Sequence, residues 1–301
     1  MVRVFIGLVL LFCSSETYAS SCCGQSSSSY TVLFLGQKSA VNMGTGYTEV
    51  EGRVFSGSNE FHIWGEDKKA YKKRLSLDWA YSFSTRHQVF SKMSFFENNY
   101  EDSFGEENSS SVSDAVLGYS YEILPEYTYS KWKPVVYVSS FINLPFGVSA
   151  YDKKSLSEGA GVTGHDQFGA GLGVSVRKVF YPLTVLAQVK AVRLLGKTFD
   201  GMKVSGFYDG SASFLVSYAS PFWNLGVSSG LTWSYLSKRE IFDNRISSDS
   251  SDSVTFLVSA QKVLNEEMSL TVAYSDQTIL GTPQNTLLSK VYSLNLNYNF
   301  F

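Results

Sequence analysis

The stretch Ser289–Phe301, SKVYSLNLNYNFF, decides how the rest of the chain is read. Tyr292, Leu294, Leu296, Tyr298 and Phe300 share one parity, and Ser293, Asn295, Asn297 and Asn299 share the other. A period of two is a β-strand, here with one apolar and one polar face. In a soluble protein the apolar face meets a core, and an ordinary edge strand carries the same pattern. In an outer-membrane barrel the apolar face meets lipid and the polar face lines a wet lumen. The strand ends the chain on an aromatic residue, Phe301, and the remainder of the sequence must choose between these alternatives.

Upstream the alternation recurs. Leu75, Leu77, Trp79, Tyr81 and Phe83 oppose Ser76, Asp78, Ala80 and Ser82. Ala115 to Ile123, Phe168 to Val176, Leu183 to Ala191, Tyr208 to Tyr218 and Leu225 to Tyr235 repeat it. Val41, Met43 and Thr45 give a weak first strand, and Val89, Met93 and Phe95 mark another. Val136, Val138, Ile142 and Leu144 outline a strand whose other face is nearly as apolar. With Val254 to Ala260, Leu270 to Tyr274 and the closing strand, the count is about twelve, even as in bacterial single-chain barrels. No helical period and no fixed-length repeat runs through the chain, which reads as one domain.

The connections alternate in length. Short links lie near Ser84 to His87, Phe180 to Pro182, Ser220 to Trp223 and Asn265 to Glu267, with a longer one from Leu124 to Pro134. Between them stand long polar stretches: Glu51 to Lys72, Glu97 to Ser111, Phe146 to Asp166, Gly196 to Ser205, Ser237 to Ser251 and Asp276 to Leu288. Tight turns on one side and long loops on the other match periplasmic turns and extracellular loops. An even strand count puts both chain ends on the turn side. Tyr119, Tyr121, Tyr208, Tyr218, Trp233, Tyr235, Tyr274, Tyr292 and Tyr298 fall near strand ends on the outward parity, where interfacial girdles belong. Aromatics also favour any sheet, so this sign alone is not decisive. The expected fold is an all-β, transmembrane antiparallel barrel spanning 39–301.

Arg3 followed by the short apolar run Val4 to Phe12 reads as an export signal, too short to span a bilayer, with cleavage after Ala19. Residues 20–38 form a serine- and cysteine-rich leader with a brief apolar run from Tyr30 to Leu35. It reads as a flexible lead into the first strand, with a small plug in the lumen as the alternative. Cys22 and Cys23 are adjacent, a spacing that disfavours a mutual disulfide. Cys22 is a candidate lipidation site, although Ala19-Ser20-Ser21-Cys22 departs from the usual signal. The address is the outer membrane of a Gram-negative cell, with lipid as the surrounding partner.

Chemistry is sparse. No HExxH, CxxC or P-loop occurs, and no cofactor or metal site is expected. A net charge of -2 gives no reason to expect nucleic acid. His165 beside Asp166 is the only start for a lipase-type Ser–His pair, and no nucleophile can be placed with it, so it reads as a solvated loop residue. Inward-facing polar groups are more informative: Asp78, Lys92, Asp114, Glu122, Arg177, Gln188, Lys190 and Asp209. They form either a polar solute path or a salt-bridged filling. Gly169, Gly171 and Gly173 alternate through a strand and would widen the lumen or let another segment pack close.

The closing strand resembles that of bacterial outer-membrane barrels. The resemblance implies that Tyr292, Leu294, Leu296, Tyr298, Phe300 and Phe301 serve as the signal to the insertion machinery. The loop AYSDQTILGTPQNTLLSK, Ala273 to Lys290, and the stretch NLPFGVSAYD, Asn143 to Asp152, are similar to a family of outer-membrane barrels. That family is transporter-like or linked to the meta-pathway of phenol degradation, and is distantly similar to long-chain fatty-acid channels. Phe146 stands where it more usually has a small residue. The resemblance implies passive uptake of small, apolar or aromatic solutes. The alternative from the residues is a filled barrel that displays its loops for surface contact.

Overall fold

Strands that alternate an apolar with a polar face can bury both only by curling until the first meets the last. The computed structural model describes residues 32–33, 36–55, 61–65, 67–125, 130–152, 156–220, 222–241, 246–281 and 283–301. The proposed signal segment, its cleavage site, Cys22 and Cys23 lie outside the described residues. The rest is a closed antiparallel barrel of 12 strands. In order they are Ser39–Val54, Lys69–Ser84, His87–Asp102, Ala115–Leu124, Val135–Leu144, Gly169–Phe180, Leu183–Leu194, Phe207–Ser220, Leu225–Leu236, Ser251–Val263, Met268–Asp276 and Thr286–Phe300. Each pairs with the next, and Ser39–Val54 pairs with Thr286–Phe300 to close the ring.

The seam register runs from Ser39 opposite Phe300, through Thr45 opposite Leu294, to Val54 opposite Thr286, with one irregularity between Val50 and Gly52. Gly44 sits where the strands crowd. A Cβ there would lie 2.1 Å from Asn295 Oδ1 and 2.7 Å from Ser76 Oγ. Such inward glycines at 44, 46 and 52 leave little alternation to read, which explains why only Val41, Met43 and Thr45 mark this strand in the sequence.

The outer face carries Leu75, Leu77, Leu172, Val227, Leu231, Val272 and Leu294, all exposed, while Ser76, Asp78, Ser228, Thr232 and Asn295 are buried within. An apolar belt of this extent does not suit water, since soluble monomers expose only isolated patches of a few hundred Å². It suits hydrocarbon, and the aromatic rows fit the interfaces. Trp79 stacks on Tyr81 and Trp233 on Tyr235.

The long connections hold more order than their composition suggests. The stretch from Glu97, expected as loop, continues the third strand to Asp102 and returns as Gly105–Val112, with Phe95 opposite Val112. This hairpin stands beyond the lipid belt, so neither face has to be apolar. Its cross-strand contacts are polar, as where Asn99 Nδ2 donates to Asn108 Oδ1 at 2.7 Å. Lys197–Phe199, Met202–Val204, Arg239–Ile241 and Ile246–Ser248 make a second, four-stranded sheet from two neighbouring loops.

Leu231 lies on the lipid face in the middle of its strand. Leu231→Arg should cost roughly 2–4 kcal/mol of folding stability. Folding into vesicles, read by heat-modifiable gel mobility, should fall sharply for this variant and stay normal for Leu231→Ile.

Candidate functional site: the barrel lumen

The inward parity of the strands builds the lumen wall, and its polar part is a set of short ladders. Ser120 and Ser139 share a hydrogen bond of 2.6 Å, Gln188 Nε2 donates to Ser175 Oγ at 3.3 Å, and Gln261 Nε2 to Ser269 Oγ at 2.9 Å. Asp78 and Lys92 face inward directly opposite each other in register. The charges of Arg74 and Lys190 reach Lys92 as well. Glu122 accepts a hydrogen bond from Tyr137 Oη at 3.3 Å, and Arg177 is buried in the field of the same tyrosine. These charges mix signs within a small volume.

A second part of the wall is apolar. Phe90, Val135, Tyr137, Phe141, Val192, Leu194 and Phe207 pack with Ala40 and Ala80 into one cluster inside the barrel. The rings fit because their partners in register on the adjacent strands are glycines: a Cβ on Gly118 would lie 2.1 Å from Phe90 Cζ, and one on Gly171 would lie 2.6 Å from Phe141 Cε2. The inward glycines of the sixth strand therefore admit a ring as well as space. The sequence held one sign of this strip, the nearly equal faces of the strand around Val136. Phe90, Val192 and Phe207 were missed because the outward parity drew the reading.

Two pieces of chain pack against the barrel interior and its rim. Val32 and Leu33, each 1% exposed, belong to the same apolar cluster. Gln88 clasps this segment twice: Leu33 N donates to Gln88 Oε1 at 2.8 Å, and Gln88 Nε2 donates to Leu33 O at 2.8 Å. At the other end, the connection between Leu144 and Gly169 reaches over the mouth. Its Ala160 packs on Val50, Ala70 and Tyr100 of the first three strands. Lys72 Nζ donates to Val162 O at 2.9 Å, and Thr163 Oγ1 to Val112 O at 2.9 Å.

Asp114 organises this connection. It stands just ahead of the strand Ala115–Leu124 and not on its inner face as expected. Its carboxylate accepts from Gly147 N at 2.8 Å and from His165 N at 2.7 Å. His165 is correspondingly not a solvated loop residue. Its Nε2 lies 3.9 Å from Asp209 Oδ2, and its ring meets Phe207 edge-on at 5.2 Å. Nearby Arg239 lies over the rings of Tyr151 and Phe207, and Lys197 pairs with Asp166 at 2.7 Å. Among the described residues no serine hydroxyl bonds the His165 ring, and no group of three or more His, Cys, Asp or Glu could hold a metal.

In the closing strand Tyr292, Leu294 and Phe300 point outward and are exposed, Leu296 and Tyr298 are half-buried, and Phe301 is exposed at the chain end. Tyr298 Oη donates to Glu267 Oε2 at 2.5 Å across the last turn.

Among solved structures, an outer membrane channel from Pseudomonas putida F1 superposes with a TM-score of 0.69 at 13% identity, covering 92% of this chain and 99% of that one. The chain folds as an outer-membrane β-barrel. The transport unit of the autotransporter AIDA-I from Escherichia coli is less similar, at TM-score 0.47 and 9% identity over 89% of this chain and 93% of that one. The TodX monoaromatic hydrocarbon channel deltaS2 mutant matches at TM-score 0.43 and 9% identity over 88% of this chain and 91% of that one. No protein-family model and no curated protein sequence matches.

Burial holds the His165 imidazole below its ordinary pKa of 6.5, with Arg239 and Lys190 acting in the same direction and Asp209 and Asp114 against it. A released His165 would take up a proton near the ordinary value, whereas the packed one does not. The packed loop is therefore fully stable above about pH 6.5 and loses stability as the pH falls below it. Limited proteolysis of the 145–168 connection should accelerate between pH 7 and pH 5 and lose that pH dependence in His165→Gln.

Proposed function

We propose that the barrel is a gated passive channel that admits small apolar or aromatic solutes across the outer membrane and has no catalytic centre. The observation that carries this reading is the apolar strip along an otherwise polar lumen. A pore for ions and sugars has no use for Phe90, Phe141 and Phe207 on its wall, since apolar surface favours the transfer of apolar groups from water by ~25 cal/mol per Å². A strip of that kind holds an apolar solute weakly at several places, which lets it enter and leave. The mixed charges Asp78, Lys92, Glu122, Arg177, Lys190 and Asp209, with Gln188, line the remaining wall without selecting one sign. The channel seen in the Pseudomonas structure supports this reading through its shared architecture.

The two closures are the gates. The 145–168 connection covers the mouth, and the leader around Val32 and Leu33 acts as a plug, not only as a lead into the first strand. The filling of the lumen by these same pieces also favours a second reading, a closed barrel that displays its loops. Planar-bilayer conductance separates them. Gln88→Ala removes both bonds to Leu33, worth roughly 1–3 kcal/mol together. A channel should then open more often, by at least about fivefold, and pass apolar solutes faster. A barrel filled for structure should stay silent and simply lose stability.

The closing strand also fits a role as the insertion signal, with Phe301 at its end. Deletion of Phe301 should slow assembly by the insertion machinery in reconstituted membranes, while spontaneous folding in detergent stays near the wild-type rate.

A further inference from the structure

Beyond transport, we propose that the outer wall of the barrel holds a phosphorylated glycolipid of the lipid A type from the surrounding outer leaflet. On the lipid side of the fourth to eighth strands the outward residues Ser140, Ala170 and Ala191 are small. Leu117, Tyr119, Ile142 and Leu172 stand up around them and border an open groove of about 710 Å³. In register, Ser140 lies between Tyr119 and Leu172, and Ala191 lies beside Leu172. The groove is shallow, apolar and open to the bilayer, a form that takes an acyl chain.

What distinguishes it from bare lipid-facing wall is Arg193. This residue has outward parity, is exposed, and lines the groove with Tyr208, its partner in register. It lies ten residues along the strand from Leu183 at the periplasmic turn. At ~3.3 Å per residue and a tilt near 40°, that is about 25 Å, the full height of the apolar band. Arg193 therefore sits at the extracellular interface, where an outward cation is tolerated. Its guanidinium lies 4.5 Å from the Tyr208 ring centre. A guanidinium held against a ring by its charge keeps N–H donors for an anion, a geometry that suits phosphate. Among the described residues no carboxylate pairs with it.

A second outer groove of about 710 Å³ lies near the seam and includes Lys73. That lysine already pairs with Glu97 at 3.4 Å, so its charge is answered within the protein. The two grooves are alike in size, and only the one under Arg193 offers a cation to a headgroup. A lipid with phosphate above several acyl chains, in the leaflet that Arg193 faces, completes both needs at once.

The test uses the full chain purified in detergent and incubated with bis-phosphorylated lipid A, its dephosphorylated form, or phosphatidylglycerol, with bound lipid read by native mass spectrometry. Folding of each variant is checked by heat-modifiable mobility. Wild type should retain bis-phosphorylated lipid A. Arg193→Gln should reduce retention by about tenfold or more, Ala191→Leu should reduce it by filling the groove, and Lys73→Gln should leave it unchanged. Equal retention by Arg193→Gln and wild type, or of the dephosphorylated lipid, overturns the proposal. Preferential retention of phosphatidylglycerol overturns it in favour of a phospholipid site. Solute conductance of Arg193→Gln should match wild type, so failure here is distinct from failure of the channel reading.

Discussion

Everything in this molecule depends on the backbone pairing of its first strand with its last. In hydrocarbon an unpaired N–H or C=O has no water to turn to, at several kcal/mol each, so a sheet must have no edge. The pairing of Ser39–Val54 with Thr286–Phe300 removes the only edges the ring would have. The side chains at the seam are fitted to that requirement. Gly44 yields its space to Asn295, and Lys290 pairs with Glu51 near the outer rim. Tyr47 faces Tyr292 across the seam, Tyr71 stacks on Tyr47 at 5.9 Å, and Tyr274 packs on Tyr292 at 5.2 Å. This row of tyrosines crosses four neighbouring strands where the sheet closes.

Closure makes an interior, and the interior is divided between two chemistries. Buried serine and glutamine ladders, such as Ser120–Ser139, Gln188–Ser175 and Gln261–Ser269, tie neighbouring strands to one another. Apart from Tyr137, which bonds Glu122, the aromatic strip is held by packing and depends on glycines of the adjacent strands for its room. A wall built only for strength would gain more from uniform packing. The apolar strip, with Val32 and Leu33 packed on it, is the feature on which the gated-channel reading proposed above rests.

The fold was legible because a period of two survives in most strands, and because short and long links alternate. It faded where physics relaxed the pattern. The first strand has glycines at inward positions, so its alternation is faint. The hairpin Gly105–Val112 lies in water on both faces, so no apolar parity is required of it. Asp114 precedes a well-patterned strand and was carried into it by parity, yet its carboxylate belongs to the loop. The lumen strip was least legible. Inward Phe90, Val192 and Leu194 look like extra apolar residues among many, and only the three-dimensional meeting of six strands makes them a surface. The clasp between Gln88 and Leu33 has no sequence signature, since it joins a side chain to backbone across a distance of 55 residues.

The position of Leu33 just ahead of Ser39 has a kinetic meaning. Six residues of chain reach at most about 20 Å. When the segment lets go of Gln88 it cannot diffuse away, because the wall itself holds its leash. Rebinding is then an internal event at an effective concentration in the millimolar range, insensitive to how many copies crowd the membrane. In the gated reading proposed above, each molecule would thus carry its own stopper and reclose on its own clock, without reference to its neighbours.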